Sequence, residues 1–237
     1  MGTPLANEFN QFSRELFQKP SMSGQVKHFL RELIISGKLR SGERIVETRI
    51  AHQLGIGQPT VREALESLQD EGLVVRHPNR GCTVVELTEK EVRQIFRLRI
   101  EWEALAVDLA MEHWTADKSN ELARVLNDLE AAAQTRDAQR YYRVDLEFHR
   151  TIWRFADNPF LLKALSQITI PLFAFVMVKV AAHEEFDLVA NARGHRRIVE
   201  AISSGDRALA IQITRESLSG FQHAGYGLFA KAQESGK

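Results

Sequence analysis

Apolar residues recur at the spacing of an α-helix along the first part of the chain, and turn residues separate the segments. The period i, i+3, i+4, i+7 predicts a helix that begins near Ser23. Two shorter helices are predicted over about 47–54 and 59–70, and a glycine ends each of them. Two β-like runs follow at 73–77 and 82–87 with hairpin residues between them. This segment therefore predicts three helices and a β-hairpin.

The pattern changes after Thr88, because only helical periodicity continues to the end of the chain. Thr88 and Glu91 form a capping box, which predicts the start of a long helix. The apolar run Ile168–Val178 is 11 residues long, too short to span a bilayer, and it predicts a buried helix. The predicted helices are 89–113, 116–134, 137–156, 159–181, 185–204 and 206–231.

These patterns predict a mainly α protein in three parts. Residues 1–20 show no clear period and are expected to form a flexible N-terminal arm. Residues 21–87 form a small domain of helices and a hairpin, and residues 88–237 form an all-α helical bundle. The start of the chain lacks a basic segment followed by an apolar run, so we expect no signal peptide, a cytoplasmic location and no membrane partner.

Charge and cysteine content exclude several classes of protein. Lys+Arg and Asp+Glu both total 31, so the net charge is zero. This excludes a protein that coats nucleic acid through bulk positive charge, but it allows a local basic face. The single cysteine, Cys82, excludes a disulfide framework and a cysteine-based zinc cluster.

Two short helices joined by a tight turn, with a hairpin after them, resemble a winged helix-turn-helix. The third helix would present its N-terminal end to the DNA major groove. There, Gln58 can pair with adenine, while Thr60 and Arg62 can reach phosphates or base edges. Scattered arginines usually only solvate a surface, so charge alone does not distinguish DNA binding from an ordinary polar face.

The stretch ERIVETRIAHQLGIGQPTVREALESLQDEGLVVRHPNRGCTVV resembles the DNA-binding domain of the GntR family of bacterial transcription regulators. VREAL (61–65), EGLV (71–74) and RG (80–81) carry the resemblance. The family often has Ser-Arg-Thr-Pro where this chain has Gly57-Gln58-Pro59-Thr60, which changes the expected operator but not DNA binding. The resemblance implies that the following residues lie at or near DNA: Thr48, Arg49, Gln58, Thr60, Arg62, His77, Arg80 and Gly81.

Helical spacing in the second domain brings a carboxylate and imidazoles together. Asp145 and His149 are four residues apart and share one helical face, while His195 begins the apolar stripe of another helix. Such a set inside a bundle can bind Zn²⁺, Ni²⁺ or Mn²⁺. A hydrogen-bonded Asp–His pair with no metal explains the same spacing.

The segments 95–110, 145–150 and 194–206 resemble the FadR subgroup of this family, which has a ligand-binding bundle (the FCD domain) of six or seven helices around a pocket for small carboxylates. Many members hold a divalent metal there. The metal-binding members usually carry a third histidine on the last helix, and this chain has Ser217 at that position. His223 is not expected to substitute for it. The resemblance implies an effector site of Arg99, Asp145, His149, His195 and Ser217. The resemblance therefore leaves open whether a metal binds here. Glu103 is an alternative partner for Arg99.

The sequence predicts a homodimeric transcription regulator, a repressor released from double-stranded operator DNA by a small carboxylate. Two-fold protein symmetry would match a near-palindromic operator. One alternative is a metal-dependent helical-bundle enzyme with an accessory winged domain, although no second acid is found beside the histidines. Another is an architectural DNA-binding protein without an effector, which the zero net charge disfavours.

Overall fold

The computed structural model describes residues 21–35, 38–77, 81–180 and 187–234, and of these it describes the side chains except those of 177–180 and 221–234. The predicted arm 1–20 lies outside the described residues. Tertiary contacts divide the chain into two compact units, Met1–Val84 and Val85–Lys237. Each unit is described by itself below.

The N-terminal unit is a three-helix domain with a small sheet. Its helices are α1 (Met22–Ile35), α2 (Glu47–Leu54) and α3 (Gln58–Asp70), and its strands are β1 (Arg44–Ile45), β2 (Val74–His77) and β3 (Gly81–Val84). The strands are antiparallel in the order β1-β3-β2. The predicted helices and hairpin are confirmed, while β1 was missed because two residues are too few for a periodic signal.

Buried aliphatic side chains hold α3 against α1. Val61, Leu65 and Leu68 of α3 are fully buried, as are Leu30 and Ile34 of α1. Burial of each such side chain stabilises the domain by about 1.5–3 kcal/mol. The opposite face of α3 therefore stays available to solvent.

The C-terminal unit consists of six helices, within the residues that the structure describes, as the sequence predicted. Its described residues contain no strand. The helices are α4 (Glu89–Glu112), α5 (Ala116–Gln134), α6 (Ala138–Phe155), α7 (Pro159–Val180), α8 (Leu188–Ser203) and α9 (Arg207–Glu234).

Side chains cap most helices of the C-terminal unit. The predicted capping box of Thr88 and Glu91 opens α4, and Thr115 caps α5. Asp137 and Asp187 cap α6 and α8. In the N-terminal unit, the Ser21 hydroxyl accepts from the backbone N–H of Gly24 in α1 at 3.1 Å, but the residues that precede α2 and α3 provide no side-chain cap.

Helix α6 lies at the centre of the bundle, where it packs against α4, α5 and α7. Its buried residues include Tyr142, Asp145, Phe148, His149 and Trp153. Five buried side chains on neighbouring helical turns direct one face of α6 into the interior. Polar groups on this face consequently need partners from other helices.

Helix α7 is the most apolar element of the described chain. Its window Pro159–Val176 has a mean hydropathy of 1.6 and is long and apolar enough to cross a bilayer by length and composition alone. In the structure 44% of that window is buried, and every residue from Ile168 to Val176 is buried or half-buried. Packing in the bundle therefore accounts for this composition.

Candidate functional site

The N-terminal end of α3 is exposed on the surface of the first unit. Gln58 and Thr60 are half-buried and Arg62 is exposed. The backbone N–H of Thr60 donates to the Gly57 carbonyl at 3.1 Å. Because Gly57 has no side chain to cap the helix, the end of α3 presents backbone and polar side chains to solvent.

A surface groove of about 290 Å³ connects α3 with α2 and with the hairpin of β2 and β3, which we call the wing. Thr48, Gln58 and Gly81 all line it, although they come from three different elements. Arg44 of the missed strand β1 lines it as well. Arg49 lies next to Thr48 and is exposed. The structure thus brings together residues that lie 33 positions apart in the sequence.

Of the predicted wing residues that the structure describes, Gly81 lines the groove and His77 does not. His77 is exposed, and its Nε2 lies 3.0 Å from the Thr83 hydroxyl on the neighbouring strand. Gly81 has φ +86°, a conformation that L-residues rarely adopt, and a Cβ there would lie 3.7 Å from Nε of Arg44. Arg80 lies outside the described residues.

In the helical unit, Asp145, His149 and His195 converge, and we call them the Asp–His cluster. One ligand atom from each lies within 4.8 Å of the others. The Nε2 atoms of the two histidines are 3.3 Å apart, and Oδ1 of Asp145 lies 2.8 Å from Nε2 of His195. All three residues are buried. Helices α6 and α8 therefore bring together the three ligands that spacing had suggested.

Partners on the far side of each imidazole fix its orientation. The Nδ1 atom of His195 lies 3.1 Å from the backbone carbonyl of Asn191, and Nδ1 of His149 contacts the Glu103 carboxylate. A proton on each Nδ1 satisfies both contacts, and each Nε2 then lies on the side of the ring that faces the cluster.

Arg99 joins this network from α4. Its Nε donates to Glu103 at 2.5 Å, and its Nη2 donates to Nε2 of His149 at 2.8 Å. Its guanidinium carbon lies 4.7 Å from the centroid of the Phe173 ring. The predicted alternative partner, Glu103, is thus present, and a bound cation at His149 would replace one of the hydrogen bonds of Arg99.

Burial and charge compete over the protonation of this network. Burial disfavours the Glu103 carboxylate, but Arg99 and His149 outweigh that cost and lower the pKa of Glu103 to about 2. Burial likewise opposes the charge on Asp145, yet His195 and His149 hold its pKa well below the ordinary value. Both carboxylates are therefore ionised at neutral pH.

His149 experiences opposing influences. Burial lowers the pKa of His149, whereas the Glu103 carboxylate raises it by more, and the net direction is upward. An N–H of Arg99 nevertheless faces Nε2, and two N–H groups cannot point at each other across 2.8 Å. The hydrogen-bond geometry decides for the neutral imidazole with its proton on Nδ1.

The donor set fits a divalent metal. The cluster offers one carboxylate oxygen and two imidazole nitrogens, and among the described residues Oδ1 of Asp145 has no hydrogen-bond partner. Ligands about 2.0–2.1 Å from a tetrahedral metal lie roughly 3.3 Å apart, close to the separations within the cluster. A divalent metal fits these three ligand atoms if it takes the place of the hydrogen bond from Arg99 to His149.

A cavity of about 30 Å³ adjoins the cluster. Its lining includes Arg99 and Ser217 together with the three cluster residues, so the structure brings all five predicted effector-site residues to one place. Ser217 is half-buried, and its hydroxyl lies 3.4 Å from the Gly194 carbonyl. The side chain of His223 lies outside the described residues.

Sequence reasoning missed the residues that orient the histidines. Glu103 was considered only as a partner of Arg99, because its contact with His149 spans 46 positions and leaves no local pattern. The Asn191 carbonyl lies four residues before His195, and every histidine within a helix has a backbone carbonyl at that spacing.

The buried Cys82 has its pKa raised by burial to about 11, which makes the thiol a poor nucleophile.

Models of known protein families match both units. The model "Bacterial regulatory proteins, gntR family" matches residues 22–84, and the FCD domain matches residues 94–220. The chain belongs to the GntR family of bacterial transcription regulators, with an FCD domain as its C-terminal unit. This GntR/FCD regulator therefore joins a DNA-binding domain to an effector-binding domain in one chain.

Similar proteins match this chain over most of its length and most of their own. The gluconate operon transcriptional repressor of Bacillus subtilis is 26% identical over 86% of this chain and 85% of its own length. A probable D-xylose utilization operon transcriptional repressor of Paenarthrobacter nicotinovorans is 28% identical over 92% of this chain and 96% of its own. These relatives are regulators, which confirms the prediction of a regulator over that of an enzyme.

Solved structures show the same fold. The McbR/YncC structure from Escherichia coli aligns with a TM-score of 0.70 at 24% identity, over 90% of this chain and 99% of that one. A putative GntR regulator from Rhodococcus sp. RHA1 aligns with a TM-score of 0.68 at 20% identity, over 87% and 98%. The similarity covers both units.

Proposed function

We propose that this GntR/FCD regulator is a cytoplasmic repressor that binds a near-palindromic operator as a homodimer and leaves it when a small carboxylate binds the helical unit. The pairing of a gntR-type domain with an FCD domain carries the proposal. The two relatives described above are named as repressors of operons for sugar or sugar-acid use. An effector shifts such an equilibrium only by binding one dimer geometry better than the other.

The DNA contacts are assigned to the groove around the N-terminal end of α3. Gln58 and Thr60 would read base edges, Arg62 would contact a phosphate or guanine, and Arg49 would contact a phosphate. Thr48, His77 and Gly81 border the same face, and Arg80 is retained from the sequence pattern. Since acidic residues such as Glu66 and Asp70 follow along α3, docking by its first turns avoids repulsion between the helix and DNA.

The Asp–His cluster would hold a divalent metal such as Zn²⁺, Ni²⁺ or Mn²⁺. When bound, the metal would supply open coordination positions for a carboxylate, because Asp145, His149 and His195 provide only three ligands. Arg99 and Ser217 would contact the effector from the adjoining cavity. A cavity of about 30 Å³ has room for a few water-sized groups, which favours a small acid.

Selection from a random duplex DNA library tests the DNA-binding proposal. Tag-free protein should enrich one near-palindromic sequence, and native mass spectrometry should show two subunits on one duplex. Small carboxylates added with Zn²⁺ should then release the selected duplex. Failure to enrich any sequence, or a single subunit on the enriched duplex, would contradict the paired-operator proposal.

A further inference from the structure

One carboxylate in the N-terminal unit bridges two arginines that come from different elements. Glu47 is the first residue of α2. Its Oε2 accepts from Nε of Arg62 on α3 at 3.2 Å, and its Oε1 accepts from Nη2 of Arg76 on β2 at 2.8 Å. The Glu47 side chain is 21% exposed, so this bridge is partly shielded from water. A single carboxylate thus connects α2, α3 and β2.

The two arginines use their donors differently. Arg76 pairs through Nη2 with Glu47 and through Nη1 with Glu66 at 3.5 Å, and its side chain is 30% exposed. Arg62 gives only Nε to Glu47, and its side chain is 54% exposed. Among the described residues neither Nη group of Arg62 has a partner. Arg76 is therefore held within the domain, while Arg62 keeps four N–H donors for a ligand.

We propose that Glu47 positions Arg62 for DNA: it holds Nε and thereby aims both Nη groups at a phosphate or guanine of the operator. A guanidinium binds best when its planar set of donors is fixed before the ligand arrives. Glu47 also lies in the groove that Thr48, Gln58 and Gly81 line, so it is close to the proposed DNA face. The inference rests on the proposed DNA-binding function.

Simple electrostatics predicts the opposite effect of removing this charge. Glu47 repels a phosphate backbone, so its loss would strengthen binding to any DNA if charge alone mattered. A positioning role instead predicts weaker binding to the operator, because Arg62 becomes free to rotate. The direction of the change therefore separates the two explanations.

The experiment measures affinity of the full chain for a duplex that the wild-type protein has selected from a random library, and for a scrambled duplex of equal length. Glu47→Gln should weaken binding to the selected duplex about tenfold or more, the usual size of one specific contact. Binding to the scrambled duplex should stay equal or become tighter. Glu63→Gln is the matched control, because it removes the same charge from α3 at an exposed position outside this bridge.

A double-mutant cycle separates positioning from a general structural effect. In an Arg62→Ala background, Glu47→Gln should cause little further loss, since the residue through which it acts is gone. Arg62→Lys covers the case in which the Glu47 variants fail to fold. Lysine keeps the positive charge, but its single ammonium group cannot bind Glu47 and also present two further donor groups to DNA. This variant should therefore lose specific affinity, while the salt dependence of binding stays near that of wild type.

The outcomes are distinct. Operator binding by Glu47→Gln equal to or tighter than wild type, additive losses in the cycle, or full specific affinity in Arg62→Lys would each overturn the inference. If the wild-type protein enriches no sequence, the proposed DNA-binding function itself fails.

Discussion

Each unit of the protein contains a carboxylate that bridges two basic side chains, but the two bridges lie in different surroundings. Glu47 joins Arg62 and Arg76 at the surface, where these side chains are 21%, 54% and 30% exposed. Glu103 joins Arg99 and His149 in the bundle, where exposure is 2–3%. Water can replace a lost partner only in the first case. The surface bridge can therefore serve binding, while the buried bridge is also required for stability.

Removing the buried carboxylate should have the largest effect. Glu103→Ala leaves the Arg99 charge buried without its carboxylate, so we expect a loss of about 3–5 kcal/mol in the free energy of unfolding. Tryptophan fluorescence in urea measures this directly, because the three tryptophans, Trp102, Trp114 and Trp153, all lie in the helical unit. Glu101→Gln is the control, since its pair with Arg215 is exposed and should change stability by at most about 1 kcal/mol. Equal effects of the two substitutions would remove the distinction drawn above.

Metal should stabilise the helical unit by somewhat less. Zn²⁺ at 100 times its dissociation constant should add about 2.7 kcal/mol to the unfolding free energy, provided that it binds only the folded state. His195→Ala should abolish the shift, and His113→Ala, which changes an exposed histidine of the same unit, should keep it. Metal content after dialysis provides an independent readout. A shift of similar size in His195→Ala would place the metal elsewhere.

The capping box of α4 should contribute about 1 kcal/mol, and Thr88→Ala should remove it. The side-chain and backbone hydrogen bonds with Thr88 lower the pKa of Glu91. A lowered folded-state pKa stabilises the protein above the unfolded value, and this contribution disappears as the pH falls through the folded value. The difference between wild type and Thr88→Ala in urea should therefore shrink in acid. A constant difference from pH 7 to pH 3 would contradict the role of Glu91.

The smallest effect on stability is expected for Glu47→Gln. Its arginine partners remain solvated after the change, so the loss should be below about 1 kcal/mol. The N-terminal unit has no tryptophan, and its unfolding is therefore followed by circular dichroism after subtraction of the transition that fluorescence reports. A loss as large as that of Glu103→Ala would show that exposure does not distinguish the two bridges.

Local patterns were sufficient to predict most of the fold. Periodicity predicted each helix of both units, and the spacing of Thr88 and Glu91 predicted the cap that the structure confirms. Strand β1 escaped because its pairing partner, β3, lies almost 40 positions later. Two residues acquire strand geometry only through that tertiary contact.

The candidate site was predictable in its residue types but not in its hydrogen bonds. Asp145 and His149 share a helical face by spacing alone, while the approach of His195 depends on how α8 packs beside the bundle interior. The contact of Glu103 with His149 requires one particular distance and axial offset between α4 and α6. Such interhelical distances follow from side-chain packing along whole helices, which no short motif encodes.

The absence of a side-chain cap on α3 has a consequence for how DNA binding could be observed. Pro59 has no amide hydrogen, and that of Thr60 is taken by Gly57, so among the described residues the Gln58 amide is the first one of the helix without a protein acceptor. In free protein this amide exchanges its hydrogen with water. In the proposed complex a phosphate oxygen is its natural acceptor. Slowed hydrogen exchange at this one amide would therefore report, at atomic resolution, that the end of the helix has reached the backbone of the duplex.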